Sequence, residues 1–367
     1  MLNNKTIAVV VPAYNEENQI GKVIETMPEF VDRIIVVNDF STDKTKEIVE
    51  YYVKKYKGKG IKIQEKKGYK NKFSNDKKVE EAEAILDMRE EQNMTDSEKG
   101  KIEEESNRVI LINHKQNGGV GAAIASGYKW AKDHEIDCTA VMAGDGQMPP
   151  DELERICKPI VFDGVDYVKG NRLIHRSALL VIPKVRYIGN SILSILTKIA
   201  SGYWHVSDTQ TGYTAISLSA LKSIHLHKIY KRYGVPNDLL VKLNIAMCTL
   251  KEVPIRPTYN VGESSKMKIT KVIPKLSWLL VKLFFKRLYR KYLFRDFHPL
   301  FLLYHLAFII AIFNIPLGLD ILYAFITQGI IVTDQKLLIF LFLMITGFQS
   351  LLFAMWMDIQ DNERLYV

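Results

Sequence analysis

Two long apolar stretches near the C-terminus constrain the architecture of this 367-residue chain more than any other feature. Residues 299–318 and 337–357 each provide enough apolar helix, at about 1.5 Å per residue, to cross about 30 Å of hydrocarbon. Buried helices of a soluble core are the alternative, but a basic segment on the near side favours membrane insertion. We expect residues 298–367 to form two transmembrane helices with a short C-terminal tail.

The net positive charge of the chain comes from the segment just before these stretches. Residues 266–295 hold ten Lys or Arg and no Asp or Glu, whereas the whole chain has a net charge of +9, so the remainder is near −1 (9 minus 10). A local basic block beside an apolar tail indicates an anionic membrane surface rather than nucleic acid. The positive-inside rule places this block and the preceding N-terminal domain in the cytoplasm. Two spans then return the C-terminus to the same side of the cell membrane.

Between residues 271 and 295, apolar and basic side chains interleave, as at Lys282 and Leu283. Trp278 suits the headgroup zone of a bilayer. This pattern predicts one or two amphipathic helices lying on the membrane, within a juxtamembrane segment at residues 266–297. A solvated linker is the alternative interpretation.

Residues 1–265 alternate between strand and helix patterns. Short buried-strand runs are followed by amphipathic segments in the order βαβαβαβ, with the strands at residues 6–11, 33–38, 108–113 and 137–142. This order predicts an α/β domain with a mainly parallel sheet covered by helices.

One segment interrupts this alternation. Residues 64–108 contain 23 charged residues, 13 acidic and 10 basic, where a connection of a few residues is usual. We expect a surface insertion that is helical or partly disordered. Its mixed charge gives no reason to expect nucleic acid.

Polar loops follow each of the four strands. They read "PAYNEE" at residues 12–17, "NDFSTD" at 38–43, "NGGVGAA" at 117–123 and "AGDGQMPP" at 143–150. The carboxyl ends of parallel strands meet at one edge of a sheet, and ligands bind there. Acidic side chains and Gly-rich backbone are therefore expected at a common rim.

These motifs, with "GNR" at 170–172, "DTQTGY" at 208–213 and "GESSKMK" at 262–268, stand in the order found in the family-2 glycosyltransferases. The chain resembles that family over about residues 5–270, apart from the insertion. Within it, the chain is most similar to the dolichol-phosphate mannose and glucose synthases. The resemblance implies a nucleotide-sugar-binding fold of the GT-A type and a glycosyltransferase activity.

The resemblance also implies a donor-nucleotide site. Pro12, Tyr14 and Glu16 would line the base and ribose, and Asp39 would accept a base N–H. The remaining positions that the resemblance assigns to donor binding are Val37, Gly119 and Asp145.

A divalent cation is implied on the donor diphosphate. Asp145 and Gln147 would bind Mg²⁺ or Mn²⁺, hard ions that take oxygen ligands. The family usually has a second acid two residues before Asp145, where this chain has Ala143. We therefore expect metal binding that is weak without the donor and strong with it. A metal-free nucleotide site is the alternative.

Five residues are implied in the transfer step. In the family, cations that bind phosphate groups stand at the positions of Arg172, Arg186 and Lys266. Asp145 would act on the departing diphosphate through the metal ion. Asp208 matches an acid near the acceptor.

The acceptor determines the mechanism. A lipid phosphate, with a second pKa near ~6, is already an anionic nucleophile at neutral pH, so it needs alignment rather than a base. We expect displacement with inversion at the anomeric carbon, from a GDP- or UDP-linked hexose to a polyprenyl phosphate. A hydroxyl acceptor would instead require Asp208 or Asp238 as base. A non-catalytic membrane adaptor that keeps the fold is a further alternative. The sequence does not distinguish a monomer from a homo-oligomer.

Overall fold

The computed structural model describes residues 1–60, 107–175, 177–182, 184–258, 269–327 and 332–367, together with Ile85 and Met88. Most of the charged insertion and all of the "GESSKMK" segment, including Lys266, lie outside the described residues.

The N-terminal domain is built on a seven-stranded sheet with the order β3-β2-β1-β4-β6-β5-β7. Strand β6 runs antiparallel to both of its neighbours, and the other pairings are parallel. The mainly parallel sheet expected from the sequence is thus confirmed. The strands are β1 Ile7–Ala13, β2 Arg33–Asn38, β3 Val109–Asn113, β4 Cys138–Val141, β5 Tyr167–Asn171, β6 Thr214–Ser217 and β7 Leu250–Pro254.

Helices cover both faces of this sheet. They are α1 Ile20–Glu25, α2 Thr45–Lys55, α3 Val120–Asp133, α4 Leu153–Phe162, α5 Ala178–Val181, α6 Lys184–Ser201, α7 Leu218–Ser223 and α8 Val235–Ile245. Successive side chains of a strand point to opposite faces, so a strand buried on both sides is apolar throughout. In β1, Val9 joins the core that includes α1, α2 and α4, and Val10 joins the core that includes α3 and α8. A Cβ at Gly127 would lie 2.3 Å from Val10, so glycine lets α3 approach the sheet closely.

The described part of the C-terminal region contains three long helices. Helix α9 (Ile269–Tyr289) continues into a π-helical turn at Arg290–Arg295, and α10 (Pro299–Thr327) and α11 (Asp334–Glu363) follow. Both α10 and α11 are long and apolar enough to cross a membrane, with mean hydropathies of 2.2 and 2.3 over their most apolar windows. Only 28% and 11% of those windows are buried, which is too little for core helices of a soluble domain.

Over its described residues, the basic segment before α10 forms one continuous helical stretch, namely α9 and its π-helical turn. Leu280, Leu283 and Leu288 of α9 are buried, whereas Trp278 is exposed. Helix α6, packed against α9, exposes further apolar side chains, namely Ile192, Ile195 and Leu196. This second apolar face had not been expected from the sequence.

The end of the chain returns to the seven-stranded sheet. After α11, the backbone N–H of Leu250 donates to the carbonyl of Leu365 at 2.7 Å, and the N–H of Val367 donates to the carbonyl of Leu250 at 3.0 Å. The C-terminal residues therefore extend the β7 edge, whereas the sequence had suggested only a short tail.

Candidate active site

The loops after β1 and β2 are fastened together at the rim of the sheet. The backbone N–H of Asn15 donates to Ser41 Oγ at 3.0 Å, and the N–H of Thr42 donates to Asn15 Oδ1 at 2.8 Å. The N–H of Glu16 donates to Thr45 Oγ1 at 2.8 Å. These bonds explain the polar residues of both loops and give the predicted rim a fixed shape.

Two exposed aromatic side chains follow these strands. Tyr14, a predicted donor-site residue, is 45% exposed, and Phe40, which the sequence reasoning missed, is 51% exposed. Phe40 has a φ of +62°, which is unusual for a bulky residue and marks a constrained turn. Pro12 is half-buried beside them. Val37 is fully buried in the core, and its predicted role in donor binding stays a prediction.

Asp39 organises the glycine-rich loop. Its carboxylate accepts the backbone N–H groups of Gly118 and Gly119, both at 2.8 Å, and lies 2.7 Å from Nδ1 of His114. Burial alone would raise the pKa of Asp39, but the hydrogen bonds from His114 and the two glycines hold this pKa below its usual value. The proposed contact of Asp39 with a base stays a prediction, and His114 is an addition from the structure.

The glycines of "NGGVGAA" are required by close packing. Gly119 has a φ of +88°, and a Cβ there would lie 2.4 Å from the carbonyl oxygen of Lys231. A Cβ at Gly121 would lie 2.0 Å from the carbonyl oxygen of Tyr230. The N–H of Gly121 donates to the Lys231 carbonyl at 3.0 Å. This packing holds the basic loop around Lys231 against the rim. The role of Gly119 in donor binding stays a prediction.

Asp145 lies in a tight turn after β4. Its Oδ1 accepts the N–H of Gln147 at 3.0 Å, and Gly146 between them has a φ of +72°. The N–H of Ala143 donates to Met148 Sδ at 3.1 Å. The same turn is joined to the end of β1, because the N–H of Gly144 donates to the carbonyl of Pro12 at 3.2 Å.

This turn fits a divalent cation only in part. No group of three or more His, Cys, Asp or Glu suited to a metal occurs among the described residues. Asp145 and Gln147 offer a carboxylate and an amide, which are oxygen donors of the kind that Mg²⁺ and Mn²⁺ accept. The remaining coordination positions would have to come from diphosphate and water. The donor set therefore fits a cation that arrives with its nucleotide.

Arg172 and Asp208 form a bidentate ion pair. Nε of Arg172 donates to Asp208 Oδ2 at 2.8 Å, and Nη2 donates to Oδ1 at 3.1 Å. Asp208 is fully buried, while the Arg172 side chain is 24% exposed at the end of β5. Burial would raise the pKa of Asp208, but the Arg172 charge holds this pKa below its usual value. The sequence placed both residues in the site without indicating that they pair.

Two further charges support this pair, the buried Lys169 and the partly buried Glu252, and neither was predicted from the sequence. Glu252 of β7 accepts the N–H groups of Ser207 at 2.9 Å and Asp208 at 3.0 Å, so it fixes the loop that carries Asp208. Lys169 of β5 donates to the carbonyl of Thr211 at 2.9 Å. Burial raises the pKa of Glu252 and lowers the pKa of Lys169 to about 8. The signal that could have indicated them was a charged residue within a strand.

The carboxylate of Asp238 is also paired with neighbouring groups. Its carboxylate accepts the N–H of Tyr230 at 2.8 Å and forms an ion pair with Lys242 one helical turn later in α8. Asp238 is 4% exposed. Both carboxylates considered as bases for a hydroxyl acceptor are therefore buried and paired with a cation.

Two predicted cations are not placed in detail. Arg186 lies in α6, but the position of its side chain is outside what the structure describes, as is Lys266 altogether. Their predicted contacts with phosphate stay predictions.

Comparison with protein families identifies the class. The model of glycosyl transferase family 2 matches residues 8–74 and 92–225, which is more than half of the chain. The chain belongs to this family and is a glycosyltransferase. The expected GT-A domain is confirmed by the family match together with the mainly parallel sheet.

Several relatives extend this similarity. An uncharacterized protein of Methanocaldococcus jannaschii is 29% identical over 289 residues, covering 78% of this chain and 95% of the relative. The UDP-N-acetylglucosamine–dolichyl-phosphate N-acetylglucosaminyltransferase of Methanococcus voltae is 29% identical over 257 residues, covering 70% and 87%. A dolichyl-phosphate beta-glucosyltransferase of Trichomonas vaginalis is 24% identical, covering 73% and 69%. The chain is thus related to dolichyl-phosphate sugar transferases.

Among solved structures, glucosyl-3-phosphoglycerate synthase from Mycobacterium tuberculosis in complex with UDP aligns with a TM-score of 0.46 and 17% identity. The alignment covers 77% of this chain and 80% of that one.

Proposed function

We propose that this glycosyltransferase is membrane-bound and moves a hexose from a UDP- or GDP-linked donor to a polyprenyl phosphate, with inversion. The observation that carries the proposal is the state of the two candidate bases, Asp208 and Asp238, which are both buried and paired with cations. A hydroxyl acceptor must lose a proton to a base, whereas a lipid phosphate with a pKa near ~6 is already ionised at neutral pH. The dolichyl-phosphate relatives support the same acceptor class.

Arg172 is proposed to bind phosphate at the rim. Asp208 holds its guanidinium in a fixed orientation, and the side chain keeps 24% of its surface exposed. A guanidinium is permanently charged and can donate two N–H groups to one phosphate. Arg186 and Lys266 are proposed as further phosphate ligands. Together they would align the acceptor and neutralise its charge.

Donor binding is proposed at the ends of β1, β2 and β4. Tyr14 and Phe40 present exposed aromatic surface for the base, and Pro12, Glu16 and Asp39 shape the surrounding loops. Asp145 and Gln147 would hold Mg²⁺ or Mn²⁺ against the diphosphate. When bound, such an ion neutralises charge that develops on a departing nucleoside diphosphate.

The chain is proposed to divide into a catalytic domain at residues 1–265, a juxtamembrane segment at 266–297 and a membrane region at 298–367. Both ends of the chain would lie on the cytoplasmic face of the cell membrane. Support comes from the basic block before α10 and from the C-terminal residues, which pair with β7 of the catalytic sheet. The exposed apolar faces of α6 and α9 would rest on the same bilayer.

Transfer of radiolabelled sugar tests the proposal. The full chain in vesicles containing polyprenyl phosphate is supplied with UDP- and GDP-sugars in turn, with Mn²⁺ or with EDTA. One donor class should yield a labelled lipid, and EDTA should suppress the yield. Donor binding without any labelled lipid would contradict the polyprenyl phosphate acceptor.

A further inference from the structure

A fully buried ion pair joins the juxtamembrane helix to the end of the second apolar helix. Arg287 of α9 and Asp358 of α11 are both inaccessible to solvent and share two hydrogen bonds of 2.7 Å, from Nη1 to Oδ1 and from Nη2 to Oδ2. Tyr292 Oη and Asn362 Nδ2 each donate to Asp358 Oδ1 at 2.8 Å. The charge is therefore surrounded by specific partners.

The same cluster reaches the catalytic domain. Arg287 donates to the carbonyls of Ala200 at 3.0 Å and Ile199 at 3.1 Å, at the C-terminal end of α6. Asn362 Oδ1 accepts from Asn244 Nδ2, at the end of α8, at 2.7 Å. A single cluster thus binds the end of α11 to the last turns of two catalytic-domain helices.

Space for this cluster is provided by glycine. Gly202, which follows α6, has a φ of +79°, and a Cβ there would lie 2.6 Å from Nη1 of Arg287. A larger residue would both strain the backbone and displace the guanidinium.

Both of these helices contact the candidate active site. In α6, Ser194 Oγ lies 3.1 Å from Thr209 Oγ1, next to the Asp208 that holds Arg172. In α8, Oδ1 of Asn237 accepts from Gln210 Nε2 of the same loop at 2.9 Å and from Thr197 Oγ1 of α6 at 3.2 Å. A continuous set of contacts therefore runs from the Arg287–Asp358 pair to the arginine proposed to bind phosphate.

We propose that Arg287 and Asp358 are positioning residues that fix the height and tilt of the active site above the bilayer. Apolar packing would join these helices at less desolvation cost, whereas a bidentate buried pair tolerates only one arrangement. A membrane-anchored phosphate can reach the donor only if the distance between site and bilayer is set. This inference rests on the proposed lipid-phosphate acceptor.

The test compares two acceptors in the full chain reconstituted in vesicles. One is a long polyprenyl phosphate embedded in the bilayer, and the other is a short, water-soluble isoprenyl phosphate. With Asp358→Asn, kcat/KM for the embedded acceptor should fall about tenfold or more, while the soluble acceptor should react within about twofold of wild type. Asp320→Asn is the matched control, since Asp320 of α10 forms an exposed ion pair with Lys336 near the other end of α11.

Equal losses with both acceptors, or no loss with either, would overturn the positioning role. If Asp358→Asn does not fold, Tyr292→Phe removes one hydrogen bond to the same carboxylate and should produce the same selective loss on a smaller scale. A readout without turnover separates this inference from the proposed function. A fluorophore on Ile195→Cys, at an exposed position of α6, should be quenched by lipid-borne quencher in the otherwise wild-type chain and less in Asp358→Asn. Unchanged quenching would also contradict the inference, whether or not transfer is observed.

Discussion

Replacing Asp208 by Asn tests how the active-site arginine is held. The substitution preserves the shape of the side chain but removes its charge, so Arg172 keeps at most one good acceptor in place of two. Burial lowers the pKa of Lys169, and the negative charge of Asp208 partly offsets this effect. The substitution removes that charge.

The expected magnitude follows from this geometry. Removing one partner of a buried ion pair costs about 3–5 kcal/mol of unfolding free energy, and the 24% exposure of Arg172 places the loss near the lower end. Misplacing the guanidinium by about 1 Å should also lower transfer about 100-fold. Because the pKa of Asp208 is lowered by folding, its stabilisation is present above the unfolded pKa of about 4 and is lost as pH falls through the folded pKa. Asp208→Asn should lack this acid-sensitive part.

The measurements are unfolding in detergent between pH 3 and 7 and sugar transfer at pH 7. Asp166→Asn is the matched control, since Asp166 precedes β5, at the opposite end of the strand from Arg172, and accepts the N–H of Thr249 at 3.0 Å. The control should lose stability without a selective loss of transfer. Full transfer by Asp208→Asn, or an equal loss in both variants at temperatures where both are folded, would refute the reasoning.

Three further substitutions and one segment replacement test other parts of the protein. Asp145→Asn should reduce transfer by at least about 100-fold, and Gln147→Ala should reduce it by less, because water can replace a neutral amide ligand. The Mn²⁺ dependence of the transfer rate checks this prediction. Equal rates for Asp145→Asn and wild type would contradict it. Gly121→Ala should destabilise the domain, since its Cβ would lie 2.0 Å from a backbone carbonyl, and thermal unfolding measures the loss; an unchanged midpoint would contradict the packing. Replacing residues 66–105 with a short Gly/Ser linker should leave transfer within a few-fold, and inactivity of a folded variant would assign the insertion a role.

The sequence predicted the elements whose signals are local. Strands β1 to β4 are apolar runs followed by polar loops, and they occupy the expected places and share the expected rim. The two apolar helices were equally clear. The family resemblance supplied Arg172 and Asp208 as site residues, and the structure brings them together.

What the sequence left out depends on contacts between distant residues. The reversed strand β6 has only four residues, and the pairing of residues 365–367 with β7 joins the end of the chain to a sheet more than a hundred residues earlier. Glu252 supports Asp208 across 44 positions, which no local pattern encodes. The ion pair of Asp358 with Arg287 is hidden for the same reason, since an acid near the end of an apolar helix is usually solvated.

The proposed acceptor is a lipid phosphate, which needs no side-chain base. The most direct measurement compares polyprenyl phosphate with the corresponding polyprenol as acceptors in the same vesicles, with donor at saturation. We expect transfer to the phosphate alone, with a rate that rises with pH through the second pKa of the acceptor, about 6, and then levels. Transfer to the polyprenol at a comparable rate would contradict the proposed lipid-phosphate acceptor.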